Sequence, residues 1–194
     1  MATTRLVELK DEKLMRRAAA GCRRSFETLV RRHVRRAVNI AYRYVQSAAI
    51  AEDIAQEAFL RLWRNRSSYR PDARFTTFLY RVIANLCISH HRSASRRPEV
   101  HVSPQDEDTT YFSLPSEVEE PLVGLERREL AEAVRAAVAA LPGNQRMAFL
   151  LLRYQGLSYN EIAEVMDTSV QAVKSLLVRA RARLRERLER YLGG

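Results

Sequence analysis

Two cysteines in 194 residues, Cys22 and Cys87, are too few for a disulfide framework or a four-cysteine zinc site, and their scarcity suits a reducing compartment. Glycine is sparse as well, six in all, and no glycine-rich loop of the phosphate-cradling kind occurs. The four histidines complete neither a Ser/His/Asp set nor a metal constellation. His90 and His91 lie close to Cys87, but adjacent residues diverge around a helix, and Cys87, one step beyond Leu86, fits a small buried packing residue. No apolar run approaches the roughly 20 residues that span a bilayer. The opening Met1-Ala-Thr-Thr-Arg5 also lacks the apolar stretch of a secretion signal. These absences argue against an enzyme, a metalloprotein and a membrane-inserted protein. The expectation is a cytoplasmic chain with no cofactor and no metal.

What is present is apolar surface and positive charge. Apolar residues make up 46% of the chain, enough for a core in one domain or two small ones, and the net charge of +10 points towards a polyanionic partner such as nucleic acid. The charge is unevenly divided. Residues 1–97 hold 21 basic and 8 acidic side chains, residues 127–194 hold 12 and 7, and residues 98–126 hold eight acids and no lysine or arginine. That middle stretch also contains four of the six prolines and no sustained helical period, so it reads as an extended acidic linker. The flanking blocks show apolar residues recurring at three and four, which predicts an all-α protein: two small helical domains, 1–97 and 127–194, joined by a flexible tether.

In the N-terminal block, Phe26, Leu29, Val30, Val34, Ala37, Val38 and Ala41 form one stripe, and Ile54, Ala55, Ala58, Phe59 and Leu62 a second. On the second helix Asp53, Gln56, Glu57 and Leu60 sit at i, i+3, i+4 and i+7, a mixed acidic and apolar face inside a basic block. Such a face suits docking on a basic partner helix, although acids near a helix start also favour its dipole. Trp63 is read as a packing residue at the core edge. A third helix, from Phe78 to Arg92, places Leu79, Val82, Ile83 and Leu86 on one arc and Phe78, Arg81, Asn85, Ser89 and Arg92 on another, with Arg74, Phe75, Thr76 and Thr77 just upstream. Aromatics interleaved with cations suit single-stranded nucleic acid, whose bases stack on rings while arginines follow phosphates. The competing reading is that Phe75 and Phe78 fill the core.

In the C-terminal block, Leu130 to Leu141 predicts a helix stopped by Pro142-Gly143, and Gln145 to Tyr154 another ended by Gly156. Ser158-x-x-Glu161 then forms a capping box opening a short helix that buries Ile162, Ala163 and Met166. Asp167 tolerates a left-handed turn, and Thr168-x-x-Gln171 offers a second box opening a long helix. This is a helix-turn-helix, with Val170, Val173, Leu177 and Leu184 inward. Gln171, Lys174, Ser175, Val178 and Arg179 then face outward, with the reach to meet base edges and phosphates in a major groove. Arg185 to Arg190 alternate with Glu186 and Glu189 and read as exposed scaffolding.

Taken in order, Ala-Glu-Asp53-Ile-Ala-Gln-Glu57-Ala-Phe-Leu-Arg-Leu-Trp63, Phe75-Thr-Thr-Phe-Leu-Tyr-Arg-Val-Ile-Ala-Asn85-Leu, Leu141-Pro-x-x-Gln-Arg146, Gly156-Leu-Ser-Tyr-x-Glu161-Ile-Ala and Ala172-Val-Lys-Ser-Leu-Leu177 resemble an extracytoplasmic-function (ECF) sigma factor of the sigma-70 family. The resemblance implies an initiation subunit, not itself a catalyst, that binds bacterial core RNA polymerase, directs it to a promoter and promotes strand opening. It implies that Asp53, Gln56, Glu57 and Leu60 meet the clamp helices of β′, with a further contact to the β flap. Phe75, Phe78, Arg81, Asn85, Ser89 and Arg92 would capture unpaired −10 bases. Gln171, Lys174, Ser175, Val178 and Arg179 would read the −35 duplex. The acidic linker would thread the basic RNA path in place of transcript, and an anti-sigma factor is a further implied partner. Ser89, Phe78 and Asp167 depart from common family residues, an acid, a tryptophan and a glycine respectively. The alternative is a stand-alone helix-turn-helix repressor or activator, for which the Asp53 face and the Arg81 arc would have no task.

Overall fold

The computed structural model describes residues 8–69, 74–96 and 125–192, with the backbone alone for 94–96, 125–127 and 192. Residues 98–124 of the predicted 98–126 linker lie outside the described residues, as do residues 1–7, 70–73 and 97. The described chain is helical throughout: α1 Asp11–Ala19, α2 Arg23–Val45, α3 Ala48–Arg64, a 3₁₀ turn Arg66–Ser68, α4 Phe75–Arg96, α5 Leu125–Ala139, α6 Gly143–Gln155, α7 Tyr159–Met166 and α8 Val170–Leu192. No strand occurs among the described residues.

The N-terminal group packs α1, α3 and α4 around the long α2. Helix α1 starts with Asp11 and Glu12, acids that complement the positive end of a helix, and buries Leu14, Met15 and Ala18 completely. It answers no feature of the sequence patterns above. Helix α2 ends at Gln46, which takes the left-handed conformation at φ 60° and sends its N–H to Tyr42 O. Ser47 Oγ then accepts from Ile50 N at 3.5 Å and starts α3. Between α2 and α3 the rings of Phe26 and Phe59 meet edge-on, and Phe26 lies 5.1 Å from Trp63. On α4 the buried side runs through Leu79, Tyr80, Ile83, Ala84 and Cys87, while Val82 and Leu86 are half-buried. Two helical groups press on α4, so its apolar stripe alone understates how much of it is covered.

In the C-terminal group, α5 begins at Leu125, earlier than the pattern suggests, and stops at Ala139. Pro142 is the N-cap of α6, so Pro142-Gly143 opens the next helix as well as closing the last. Gly156 ends α6 in the left-handed conformation at φ 64°. Helices α7 and α8 form the helix-turn-helix. The Ser158/Glu161 capping box is present in full and Asp167 turns the chain at φ 50°. Val165, with Ile162 and Ala163, completes the buried side of α7, and Met166 is only half-buried. Helix α8 is capped by Ser169, whose Oγ accepts from Ala172 N at 3.1 Å, one residue later than the predicted Thr168 box. Val173, Leu177 and Leu184 are buried as expected.

The two groups pack on each other, α2 against α5 and α6, and α4 against α6 and α7. Arg146 joins them. Its side chain is almost fully buried, with Nη1 donating to Tyr44 O at 2.7 Å and Nη2 to Leu141 O at 3.1 Å and to Ala139 O. One guanidinium thus serves carbonyls at the C-terminal ends of α2 and α5, which a helix leaves without partners of its own and where its dipole favours a cation.

Candidate nucleic-acid and protein interfaces

The structure brings the −35 candidates together. Gln171, Lys174, Ser175, Val178 and Arg179 are all exposed on the first half of α8, the helix that follows the turn, and Val178 is 64% exposed. Ser175 Oγ donates to Gln171 O at 3.0 Å, which leaves the Gln171 amide, Lys174 ammonium and Arg179 guanidinium as the polar groups reaching outward. Their position is set by α7. The Ser158 backbone N–H and hydroxyl donate to Glu161 at 2.9 and 2.8 Å. These bonds, followed by the Arg74 charge, hold the Glu161 carboxyl below its ordinary pKa.

The −10 candidates divide. Asn85, Ser89 and Arg92 are exposed along α4, and Phe78 is half-buried with its ring 5.6 Å from that of Tyr69. Phe75 has no exposed surface: its ring packs 5.1 Å from that of His33. In this structure it is packed as the core reading of Phe75 expects, and offers no surface to a base. Arg81 is exposed, but its Nε and Nη2 both donate to Glu164 O, at 3.1 and 2.7 Å, near the C-terminal end of α7. Around this contact Arg74 pairs with Glu161 at 2.6 Å, Tyr80 Oη donates to Gln155 Oε1 at 2.6 Å, and the Arg43 guanidinium lies 3.9 Å over the Tyr154 ring. Of the arc that would meet single strands, Arg81 is thus engaged by the helix-turn-helix of its own chain, while Asn85, Ser89 and Arg92 are exposed.

Asp53, Gln56 and Leu60 are exposed on α3, and Glu57 pairs with Arg61 one turn on at 2.6 Å. Gln56 and Leu60 help line an open groove of about 750 Å³ between α2 and α3, together with Phe26, Val30, Val34, Phe59 and Trp63. Leu60 is 49% exposed at its rim. The groove was not foreseen: Val30 and Val34 sit in the apolar stripe that predicts core, yet are only half-buried, and Trp63 lines the groove as well as packing on Phe26. Their partial exposure comes from lining this groove between two helices, which periodicity does not encode. Among the described residues no cluster of histidines, cysteines and carboxylates has the makings of a metal site, and burial pushes the Cys87 thiol up to about 12.

A helix-turn-helix with an exposed polar face, a second helix with aromatic, amide and cationic side chains, and a separate apolar groove are the features of a two-part helical protein of the DNA-binding class. Comparison with known proteins gives this class a family. Residues 29–97 match the family model for sigma-70 region 2, and residues 131–184 that for sigma-70 region 4. The chain is 32% identical over 190 residues to the RNA polymerase sigma-H factor of Pseudomonas aeruginosa, covering 96% of this chain and 98% of that one. It is 34% identical over 176 residues to the ECF RNA polymerase sigma-E factor of Escherichia coli, 90% and 92% of the two chains. In structure it is similar to CnrH in complex with the cytosolic domain of CnrY, with a TM-score of 0.66 at 26% identity over 92% of this chain and 97% of that one. The chain belongs to the ECF group of the sigma-70 family, whose members are transcription initiation factors that bind RNA polymerase.

Proposed function

We propose that the chain docks on core RNA polymerase through the α3 face, Asp53, Gln56, Glu57 and Leu60, and reads two promoter elements with its two helical groups. The clamp helices of β′ meet α3 and the C-terminal group meets the β flap. Gln171, Lys174, Ser175, Val178 and Arg179 read the −35 duplex. Phe78, Arg81, Asn85, Ser89 and Arg92 hold unpaired −10 bases, with Phe75 beneath them. Binding energy gained on unpaired bases lowers the free energy of the open promoter, so strand separation needs no catalytic group and no cofactor. Residues 98–126, with their eight acids, follow the polymerase's basic RNA path. The chain acts in the cytoplasm, and none of the helices described is long and apolar enough to cross a membrane. An anti-sigma factor covers the polymerase-binding face; the solved complex of CnrH with a cytosolic domain supports a protein antagonist.

The observation that carries this reading is the α3 groove with Leu60 exposed at its rim and carboxylates beside it. A stand-alone repressor has no use for that surface. Leu60→Arg should weaken binding to core polymerase by at least about tenfold, the scale of an interface hot spot, while the C-terminal face keeps its duplex binding. Equal core affinity of variant and wild type contradicts the assignment.

A further inference from the structure

Helix α4 carries the −10 candidates, and among the described residues the side-chain acceptor for its first N–H is not a sequence neighbour. The first turn of a helix exposes N–H groups with no helical partner. Arg74, immediately before α4, offers a side chain with donors only, and the first turn holds no acid. The acceptor comes from 63 residues back: Glu12 Oε1 takes the Phe75 N–H at 3.5 Å. The adjacent Asp11 accepts from Arg32 Nη1 and pairs with His33 Nε2, each at 2.6 Å, and the buried His33 ring lies against that of Phe75. Arg32 Nη1 also donates to Leu9 O at 2.8 Å. Helix α1 is thus fixed to α2 by Asp11 and by fully buried Leu14, Met15 and Ala18, and reaches α4 through Glu12. None of α1 falls within residues 29–97, the match to sigma-70 region 2.

We propose that Glu12 is a positioning residue for the −10-reading face, supplying from α1 a capping acceptor to the first N–H of α4, with Asp11 anchoring the helix from which it reaches. The inference rests on the reading of Phe78, Arg81 and Asn85 as contacts to unpaired bases. Phe78 lies one turn beyond the capped N–H and Arg81 two, so the anchoring of the first turn sets where ring and guanidinium stand. The α3 groove and the α8 face are held by other contacts, and Glu12 touches neither.

The test compares Glu12→Ala and Glu12→Gln as holoenzymes with bacterial core polymerase. Four quantities are read: affinity for a single-stranded oligonucleotide carrying the non-template −10 sequence of a promoter mapped with the wild type, affinity for core, affinity for the −35 duplex, and amide exchange at residues 75–77 in the full chain. Glu12→Ala should lose about three- to tenfold in single-strand affinity, the scale of a lost N-cap, with faster exchange at 75–77 and the other two affinities unchanged. Glu12→Gln, which keeps an acceptor but not the charge, should fall between and serves if the alanine variant folds poorly. Unchanged single-strand affinity overturns the proposal, and so does a fall in all three affinities together without rescue by glutamine. A wild-type holoenzyme with no preference for the −10 strand overturns the −10 reading itself, an outcome independent of residue 12.

Discussion

Gly143 shows how one missing atom sets the contact between the halves. A Cβ there would stand 2.7 Å from Tyr44 Oη, and Tyr44 is fully buried, so the ring has no room to retreat. Burial pushes the Tyr44 hydroxyl up to about 12, so it stays protonated, and among the described residues its oxygen has no hydrogen-bond partner. Gly143→Ala, ordinarily a helix-favouring change, should therefore destabilise by about 1–3 kcal/mol through overpacking. Tyr44→Phe should be nearly neutral, since it removes a hydroxyl that makes no bond, and should recover most of the loss in the double variant. Thermal denaturation of the three variants measures the coupling, and additive effects would contradict it.

At the scale of elements, some local caps were legible, with α8 capped by Ser169 one residue beyond the expected Thr168, and caps supplied from a distance were not. Ser158 with Glu161, the left-handed Asp167 and the terminating Gly156 all stand where local chemistry puts them. Glu12 capping α4, Asp11 holding His33 across 22 residues and Arg146 reaching Tyr44 O across 102 have no local signature, because only the fold brings those groups together. The same limit explains Phe75 and Phe78: both are aromatics at the head of one helix, and only the packing of His33 separates the buried ring from the half-buried one. The Ser158/Glu161 box also fixes a pH dependence. The Glu161 carboxyl is depressed in the folded chain, so its stabilisation is fully present above the unfolded glutamate pKa of about 4.3 and is lost as pH falls through the lower folded value. The wild type should lose thermal stability across that acid window relative to Glu161→Gln, and parallel profiles would contradict the box's contribution. Arg146 is the heavier determinant. Arg146→Ala strands buried carbonyls of two helices and should cost roughly 2–4 kcal/mol in chemical denaturation, and Arg146→Lys should not restore it, because an ammonium lacks the planar fork.

At the scale of the whole molecule, Arg81 donates to Glu164 O and Arg74 pairs with Glu161, so contacts join α4 to the helix-turn-helix. On the proposed reading, in which Arg81 meets unpaired bases, these contacts break when the chain engages polymerase and promoter. Energy transfer between labels at exposed Arg16 on α1 and Arg187 on α8, neither of them in a proposed contact face, should therefore be higher in the chain alone than after core polymerase is added, and unchanged transfer would contradict that separation. The central claim is that this chain gives core polymerase its promoter. Purified chain, active core polymerase and genomic DNA fragments, followed by sequencing of transcript 5′ ends, test it directly. The account predicts discrete new starts that share upstream −35 and −10 elements. Sequence-specific duplex binding by the chain alone, with no new starts and no antagonist present, would contradict it.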